Sequence, residues 1–174
     1  MKRSGRNRPV RMFGLAALLL LAALSGPSFG EETKPRFDVI VIDSAITPPV
    51  AEYVIASVAS SEKAGSEGLI IQMDTPGGLD LAMRDIIKSL LNAPVPVIVY
   101  VAPKGARAAS AGAFITMAAH IAAMAPGTNI GAAHPVAIGA GKMDETMLEK
   151  VESDAVAYAR SIAKERGRNV EWAE

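Results

Sequence analysis

Ser110 stands in the run Ala108-Ala109-Ser110-Ala111-Gly112-Ala113, a hydroxyl among residues too small to crowd an approaching molecule. A serine at the start of a helix has unpaired amides beside it, and such amides can stabilise the oxyanion formed when a hydroxyl attacks an acyl carbon. A serine at that position also commonly caps the helix and does nothing more, and a lone serine in an alanine-rich run favours this plain role. Gly77-Gly78, after Pro76, is a second group. Two residues without a Cβ leave their amides open to a ligand or an extended peptide, or simply make a tight turn. The pair gains chemical meaning if it lies beside Ser110. A nucleophilic serine also needs a base, and the choices are His120, His134 and, among the lysines, Lys104, Lys142, Lys150 and Lys164. His120 precedes a predicted strand in an apolar context and reads as structural. Lys150 falls at the border of a helical apolar stripe formed by Met147, Val151, Ala155, Tyr158 and Ile162. There an amine can turn into a dry cleft, and burial lowers a lysine's pKa from ~10.4 toward a value useful to a base. Its spacing from Asp154 equally suits an ordinary surface pair worth ~0.3–0.5 kcal/mol.

These groups need a scaffold, and the apolar pattern supplies one. Arg36 to Ile42 reads as a strand. Thr47-Pro48-Pro49 opens a helix with Val50, Val54 and Val58 on one face, running to about Ala64. Leu69 to Met73 is a second strand, and Leu79, Met83, Ile86, Ile87 and Leu90 mark a second helix closed by Asn92-Ala93-Pro94. Val97 to Val101 is a third strand, Ala108 to Ala113 a small-residue helix, and Ile121 to Met124 a fourth strand. Pro126 to Gly141 reads as a Gly-rich loop, Asp144 to Arg166 as a long helix ended by Gly167, and Val170 as the start of another. Strands alternating with helices over short connections predict parallel β-α-β crossovers and an α/β fold. Ligands bind such sheets beyond the carboxyl ends of the strands. Pro76-Gly77-Gly78 and Lys104 to Gly112 both fall there.

The 174 residues carry 18 Lys+Arg against 18 Asp+Glu, a balance that hides two different parts. Residues 1–30 hold Lys2, Arg3, Arg6, Arg8 and Arg11 and no acid, so the body from residue 31 onward is acidic. An acidic body without a basic stripe argues against nucleic-acid binding. With no cysteine, a disulfide framework and a cysteine metal site are both excluded, and no metal or cofactor is expected. The apolar run Met12 to Leu24 and the small residues Ser25 to Gly30 follow the basic stretch in the order of a secretory signal. Cleavage after Gly30 is expected. The alternative is an uncleaved anchor, though the run is shorter than the ~20 residues that span a bilayer. The chain is thus expected to be exported to the periplasmic or extracellular face of a membrane, with residues 31–174 as one domain.

Asp74-Thr75-Pro76-Gly77-Gly78, Pro96 to Val101, Gly105 to Gly112 and Met124 to Ala132 together resemble the protease domain of the NfeD family, membrane-associated serine proteases related to ClpP and to signal peptide peptidase A. The resemblance runs in order over about residues 37 to 174. It implies a ClpP/crotonase-like fold of stacked β-β-α units with a mostly parallel sheet, and a Ser-Lys dyad. On that basis Ser110 is the nucleophile and Lys150, counted back from Gly167-Arg168-Asn169, is a largely buried base. The oxyanion would meet the Gly77 amide, with Gly78 adjacent, and the Ala111 amide. His134 lies close to where the Ser-His-Asp branch of the superfamily places its histidine, so it is the alternative base, with Lys142 third. The implied substrates are hydrophobic segments of membrane proteins, notably of a stomatin- or flotillin-like partner. Self-association into a homo-oligomer is a further expectation. Family members of the long type continue into transmembrane helices and an OB-like barrel, and this chain stops before the last strand and helix of the fold, so a C-terminally truncated domain is expected. Two rival functions remain: a crotonase-type acyl-CoA enzyme, which shares the fold without a serine nucleophile, and a non-catalytic scaffold for a membrane partner.

Overall fold

The computed structural model describes residues 34–133 and 145–173. The chain divides into Met1–Lys34 and Pro35–Glu174, and the second part is the subject here. The segment expected to direct export, His134 and Lys142 lie outside the described residues.

Alternation within the first strand sets the architecture. In β1 (Phe37–Asp43), Ile40 and Ile42 are buried while Phe37, Val39 and Val41 are exposed. It pairs in parallel with β2 (Gly68–Asp74), which pairs with β3 (Val97–Val101), which pairs with β5 (Ile121–Met124). The result is a four-stranded sheet in the order β1-β2-β3-β5. Parallel neighbours need crossovers, and α1 (Pro48–Lys63) and α2 (Asp80–Leu91) provide them. Val54 and Val58 of α1 and Met83, Ile86, Ile87 and Leu90 of α2 share one core with Leu69, Ile71, Met73, Val97, Val99 and Val101 of the sheet. The opposite face, with Val39, Val41 and Ile121 exposed, has no covering element among the described residues.

Beyond β3 the chain departs from the sequence pattern. Ala108 and Ala109 belong to a short strand, β4 (Arg107–Ala109), and the helix α3 runs Ala111–Ala118. Alanine favours helix, but here backbone pairing decides: the Thr75 amide donates to the Arg107 carbonyl (2.8 Å), and the Ala109 amide to the Thr75 carbonyl (3.1 Å). The predicted Gly-rich loop contains β6 (Asn129–Gly131), which pairs in parallel with β4 in a separate two-stranded sheet. The long helix α4 spans Glu145–Glu165, and α5 (Val170–Ala173) follows.

Two arginines after α4 fasten its end to the body. Arg166 donates Nε to the Ala118 carbonyl (2.7 Å) and Nη2 to the Leu90 carbonyl (2.8 Å). Arg168 donates Nε to the Met117 carbonyl (2.7 Å) and Nη2 to the Ala119 carbonyl (2.8 Å). These carbonyls stand at or just past the carboxyl ends of α2 and α3, where the last carbonyls have no partner within the helix and carry the negative end of its dipole. Arg168→Met keeps the apolar stem and removes both bonds. It is expected to cost ~1.5–3 kcal/mol, the scale of a hydrogen bond to a charged group, read as a lower urea midpoint with an unchanged slope.

His120 is structural, as its apolar context suggested. The Val97 amide donates to its Nδ1 (3.1 Å) at the amino end of β3, away from the carboxyl ends where Ser110 lies. That bond needs an unprotonated Nδ1. Burial, with the Arg166 charge adding to it, holds the imidazole below its ordinary pKa.

Candidate active site

The turn after β2 is shaped by what presses on it from both sides. The Ile46 amide donates to the Gly77 carbonyl (2.8 Å), and the Leu79 amide donates to the Ile46 carbonyl (2.9 Å). A Cβ on Gly78 would fall 2.1 Å from the Ile46 carbonyl oxygen, so no side chain fits. On the other side, a Cβ on Gly77 would lie 2.6 Å from the Ser110 Cβ, and Gly77 has φ +105, a conformation that suits glycine. The two chemical groups singled out in the sequence are therefore in contact. Gly112, the second residue of α3, presses on Thr75, where an added Cβ would sit 2.5 Å from Cγ2. The small residues around Ser110 are what allow this helix start to approach the end of β2.

Ser110 is the corner between β4 and α3, with φ 51 and ψ −116. A non-glycine residue held there costs on the order of 1–3 kcal/mol, and such strain concentrates at functional sites. A serine on a sharp strand-to-helix turn has its hydroxyl presented outward. The Ser110 amide donates to the Gly131 carbonyl (2.8 Å), fixing the corner. Its hydroxyl makes no capping bond to α3, so the plain capping role does not describe this serine.

The neighbouring amides are arranged as follows. Ala111 opens α3, where a helix's first amides have no partner within the helix. No described residue accepts from the Gly78 amide. The Gly77 amide donates to Thr75 Oγ1 (3.2 Å).

Ser110 opens into a cleft of about 600 Å³ walled by α2, α3 and α4. Leu79, Met83, Val151 and Ala155 supply apolar lining. Phe114 and Tyr158 stack with ring centroids 6.2 Å apart, and the Arg84 guanidinium lies 4.4 Å from the centre of the Tyr158 ring. Arg84 also pairs with Asp80 (2.8 Å) and with Asp154. Partial burial opposes its charge, but the two carboxylates outweigh that and raise its pKa. Burial pushes the Tyr158 hydroxyl up, the Arg84 charge opposes, and Asp80 and Asp154 push it up further.

Lys150 borders this same cleft. It is exposed, which corrects the expectation of a largely buried lysine. The reason is local: on the same stretch of α4, Met147 and Leu148 are also exposed, at 48% and 40%, so nothing described covers this part of the helix. Asp154, spaced to pair with Lys150, is instead held by Arg84. Lys104 and Lys164 are not among the residues lining the cleft. Arg84, Asp80 and Phe114 were not marked by the sequence. Asp80 and Arg84 do sit four apart on a helix, but the pairing of Arg84 with Asp154, seventy residues away, has no local signature.

A family model described as the N-terminal domain of NfeD1b matches residues 36–174. The membrane-bound protease PH1510 of Pyrococcus horikoshii is 36% identical over 163 residues, 92% of this chain and 36% of that protein. The membrane protein NfeD1b of Bacillus subtilis is 28% identical over 159 residues, 91% of this chain and 35% of that protein. The chain thus spans about a third of the length of these curated relatives. Among solved structures, a serine-to-alanine variant of the 1510-N membrane-bound stomatin-specific protease superposes with a TM-score of 0.74 at 35% identity, covering 81% of this chain and 69% of that one. A lysine-to-alanine variant of 1510-N in complex with a substrate peptide gives 0.72 at 35% identity, covering 81% and 65%. ClpP1 of Listeria monocytogenes, at 23% identity and a TM-score of 0.58 over 78% of this chain and 75% of that one, shares the fold. The fold is therefore that of the ClpP-like proteases. Among the described residues no helix is long and apolar enough to cross a membrane. The match over nearly the whole described chain places it plainly: it belongs to the family of NfeD1b N-terminal domains.

Proposed function

We propose that this chain is the protease domain of a membrane-associated serine peptidase, with Ser110 as nucleophile and Lys150 as general base. The observation that carries the reading is the state of Ser110: a hydroxyl that caps nothing, on a strained strand-to-helix corner, against the Gly77 turn and open to the cleft that Lys150 borders. The relatives support the pairing. The serine and the lysine replaced in the two 1510-N structures stand one residue further apart in sequence than Ser110 and Lys150 do here.

In this mechanism the unprotonated Lys150 Nζ takes the Ser110 Oγ proton as Oγ attacks a peptide carbonyl carbon. The Ala111 amide and the Gly77 amide, with Gly78 adjacent, receive the oxyanion. The present acceptor of the Gly77 amide, the Thr75 hydroxyl, is neutral, and a bond to an anion is roughly twice as strong, so the developing charge takes that amide over. Collapse breaks the C–N bond, the departing amine takes the proton from Lys150, and water then hydrolyses the acyl-enzyme by the same base. Lys150 is exposed in the open cleft, so the substrate itself supplies the cover that desolvates its amine. The apolar lining suits hydrophobic peptide segments of membrane proteins, and a stomatin- or flotillin-like partner follows from the relative described as stomatin-specific. In this reading the body, residues 31–174, works at the periplasmic or extracellular face of a membrane after export.

A fluorophosphonate probe tests the nucleophile without knowledge of the substrate. Labelling of the intact protein is expected, with loss of labelling in Ser110→Ala at unchanged circular dichroism. A folded wild-type protein that takes no label would favour the scaffold reading. Acyl-CoA binding without labelling would favour the crotonase-type enzyme.

A further inference from the structure

The cleft contains a charged cluster that the dyad chemistry leaves unused. Arg84 on α2 donates Nε to Asp80 Oδ2 (2.8 Å) and Nη2 to Asp154 Oδ2, and its guanidinium lies over the Tyr158 ring. Asp80 and Arg84 are four apart on one helix, so Arg84 is oriented by its own helix before α4 arrives. Asp154 comes from α4, one turn beyond Lys150. On an isolated helix Lys150 and Asp154 would pair with each other. In the folded chain Arg84 takes the carboxylate, for three physical reasons. Its guanidinium is already aimed, it rests on an aromatic face, and it is less strongly hydrated than an ammonium.

Two consequences meet at Lys150. The first is mechanical. The cleft-facing turns of α4 follow residues outside the described set, and a polar tie from them to α2 is the Arg84–Asp154 pair, beside the contact of Tyr158 with Phe114. The second is electrostatic. A carboxylate one turn from an amine stabilises its ammonium form, which is the wrong form for a base. The charged and titratable groups lining the cleft around Lys150 are Asp80 and Arg84 from α2 and Asp154 and Tyr158 from α4. Glu149 and Glu152 stand on the same helix, facing a different groove.

We propose that Arg84 is a positioning residue for the reaction: by holding Asp154 it fixes the turn of α4 that carries Lys150 at the cleft, and it withholds that carboxylate from the Lys150 amine. This rests on the Ser110–Lys150 reading given above. Arg84 touches neither the nucleophile nor the scissile bond and acts through α4.

The test is the rate of fluorophosphonate labelling of Ser110 against pH, on the full chain, in wild type, Arg84→Met, Asp154→Asn, the double variant and Lys150→Ala. In Arg84→Met the freed Asp154 turns to Lys150. The neutral-pH rate is expected to fall ~10-fold, and the acid limb of the profile to move to higher pH, because a carboxylate beside an amine favours the ammonium form. In Asp154→Asn the limb stays at its wild-type position, and in the double variant it returns there, while both lose rate through the loosened helix. Arg84→Lys keeps a cation and is expected to hold the limb near wild type. A purely structural role for Arg84 predicts equal rate losses in both single variants with no movement of the limb, and that result overturns the proposal. So does a wild-type profile in Arg84→Met while Lys150→Ala has lost labelling. If Lys150→Ala instead labels at the wild-type rate, the dyad itself has failed, and the two failures are told apart by that one variant.

Discussion

Lys150→Ala is expected to lower peptide hydrolysis by ~10³-fold, within the ~10²–10⁴-fold that a positioned general base contributes, while His134→Ala stays within ~3-fold of wild type, a change of well under 1 kcal/mol in the barrier. The argument for the lysine is where it stands. It is on α4 and lines the same cleft as Ser110, together with Val151 and Ala155 of its own helix and the stacked pair Phe114 and Tyr158. An amine bordering that cleft loses water once a peptide fills its volume of about 600 Å³. A loss confined to the chemical step should appear in kcat, with KM little changed, because Lys150 is asked to act on the proton and not to hold the peptide. Single-turnover acylation with a hydrophobic fluorogenic peptide measures it. Full activity in Lys150→Ala together with loss in His134→Ala would transfer the role to the histidine.

How much of this was legible beforehand follows from the range of each interaction. Elements set by local periodicity were readable. The strand Val97 to Val101 has the predicted bounds, and α2 begins within a residue of Leu79. Ser110 and Gly77-Gly78 were readable as chemistry from residue type, and their contact followed from parallel strands ending side by side. What failed was set by pairing across the chain. Ala108 and Ala109 have helical propensity and form a strand because Thr75 offers both an amide and a carbonyl to their segment. β6 sits in a Gly-rich stretch that looks like loop, since Asn129 to Gly131 acquire strand geometry only beside β4. Lys150 was placed at the edge of the right helix stripe, but its exposure depends on what covers α4, and no periodicity reports that. Arg84 was invisible for the same reason: its partner Asp154 belongs to a different helix, and two surface-type residues far apart in sequence carry no mark of their meeting.

Gly77→Ala is expected to remove most activity, by ~10²-fold or more in kcat/KM, although only one methyl group is added. The added Cβ would stand 2.6 Å from the Ser110 Cβ, 3.1 Å from the Ala109 carbonyl oxygen and 3.2 Å from Ser110 Oγ. Two of those are rigid, and the third is the proposed nucleophile. The residue also has φ +105, which an L side chain adopts only with strain. Relief by moving the turn is blocked on the far side, because the Gly77 carbonyl accepts from Ile46 and Gly78 has no room against the Ile46 backbone. Relief by moving Ser110 breaks the bond from its amide to Gly131 and turns the hydroxyl away from the cleft. Either way the proposed nucleophile and the amides proposed to meet the oxyanion lose register, and a displacement of ~1 Å is enough to cost ~10²-fold. Stability should fall by ~1–3 kcal/mol, the scale of overpacking at a rigid contact, so a folded fraction is available for assay at low temperature. Comparison with Gly65→Ala separates the two effects. Gly65 has φ +63 but open space around its Cβ position, so that variant carries backbone strain without the contact on Ser110. It should lose stability and keep its rate of fluorophosphonate labelling, whereas Gly77→Ala should lose the labelling. Equal labelling in the two variants would mean that the Gly77 turn does not set the position of Ser110.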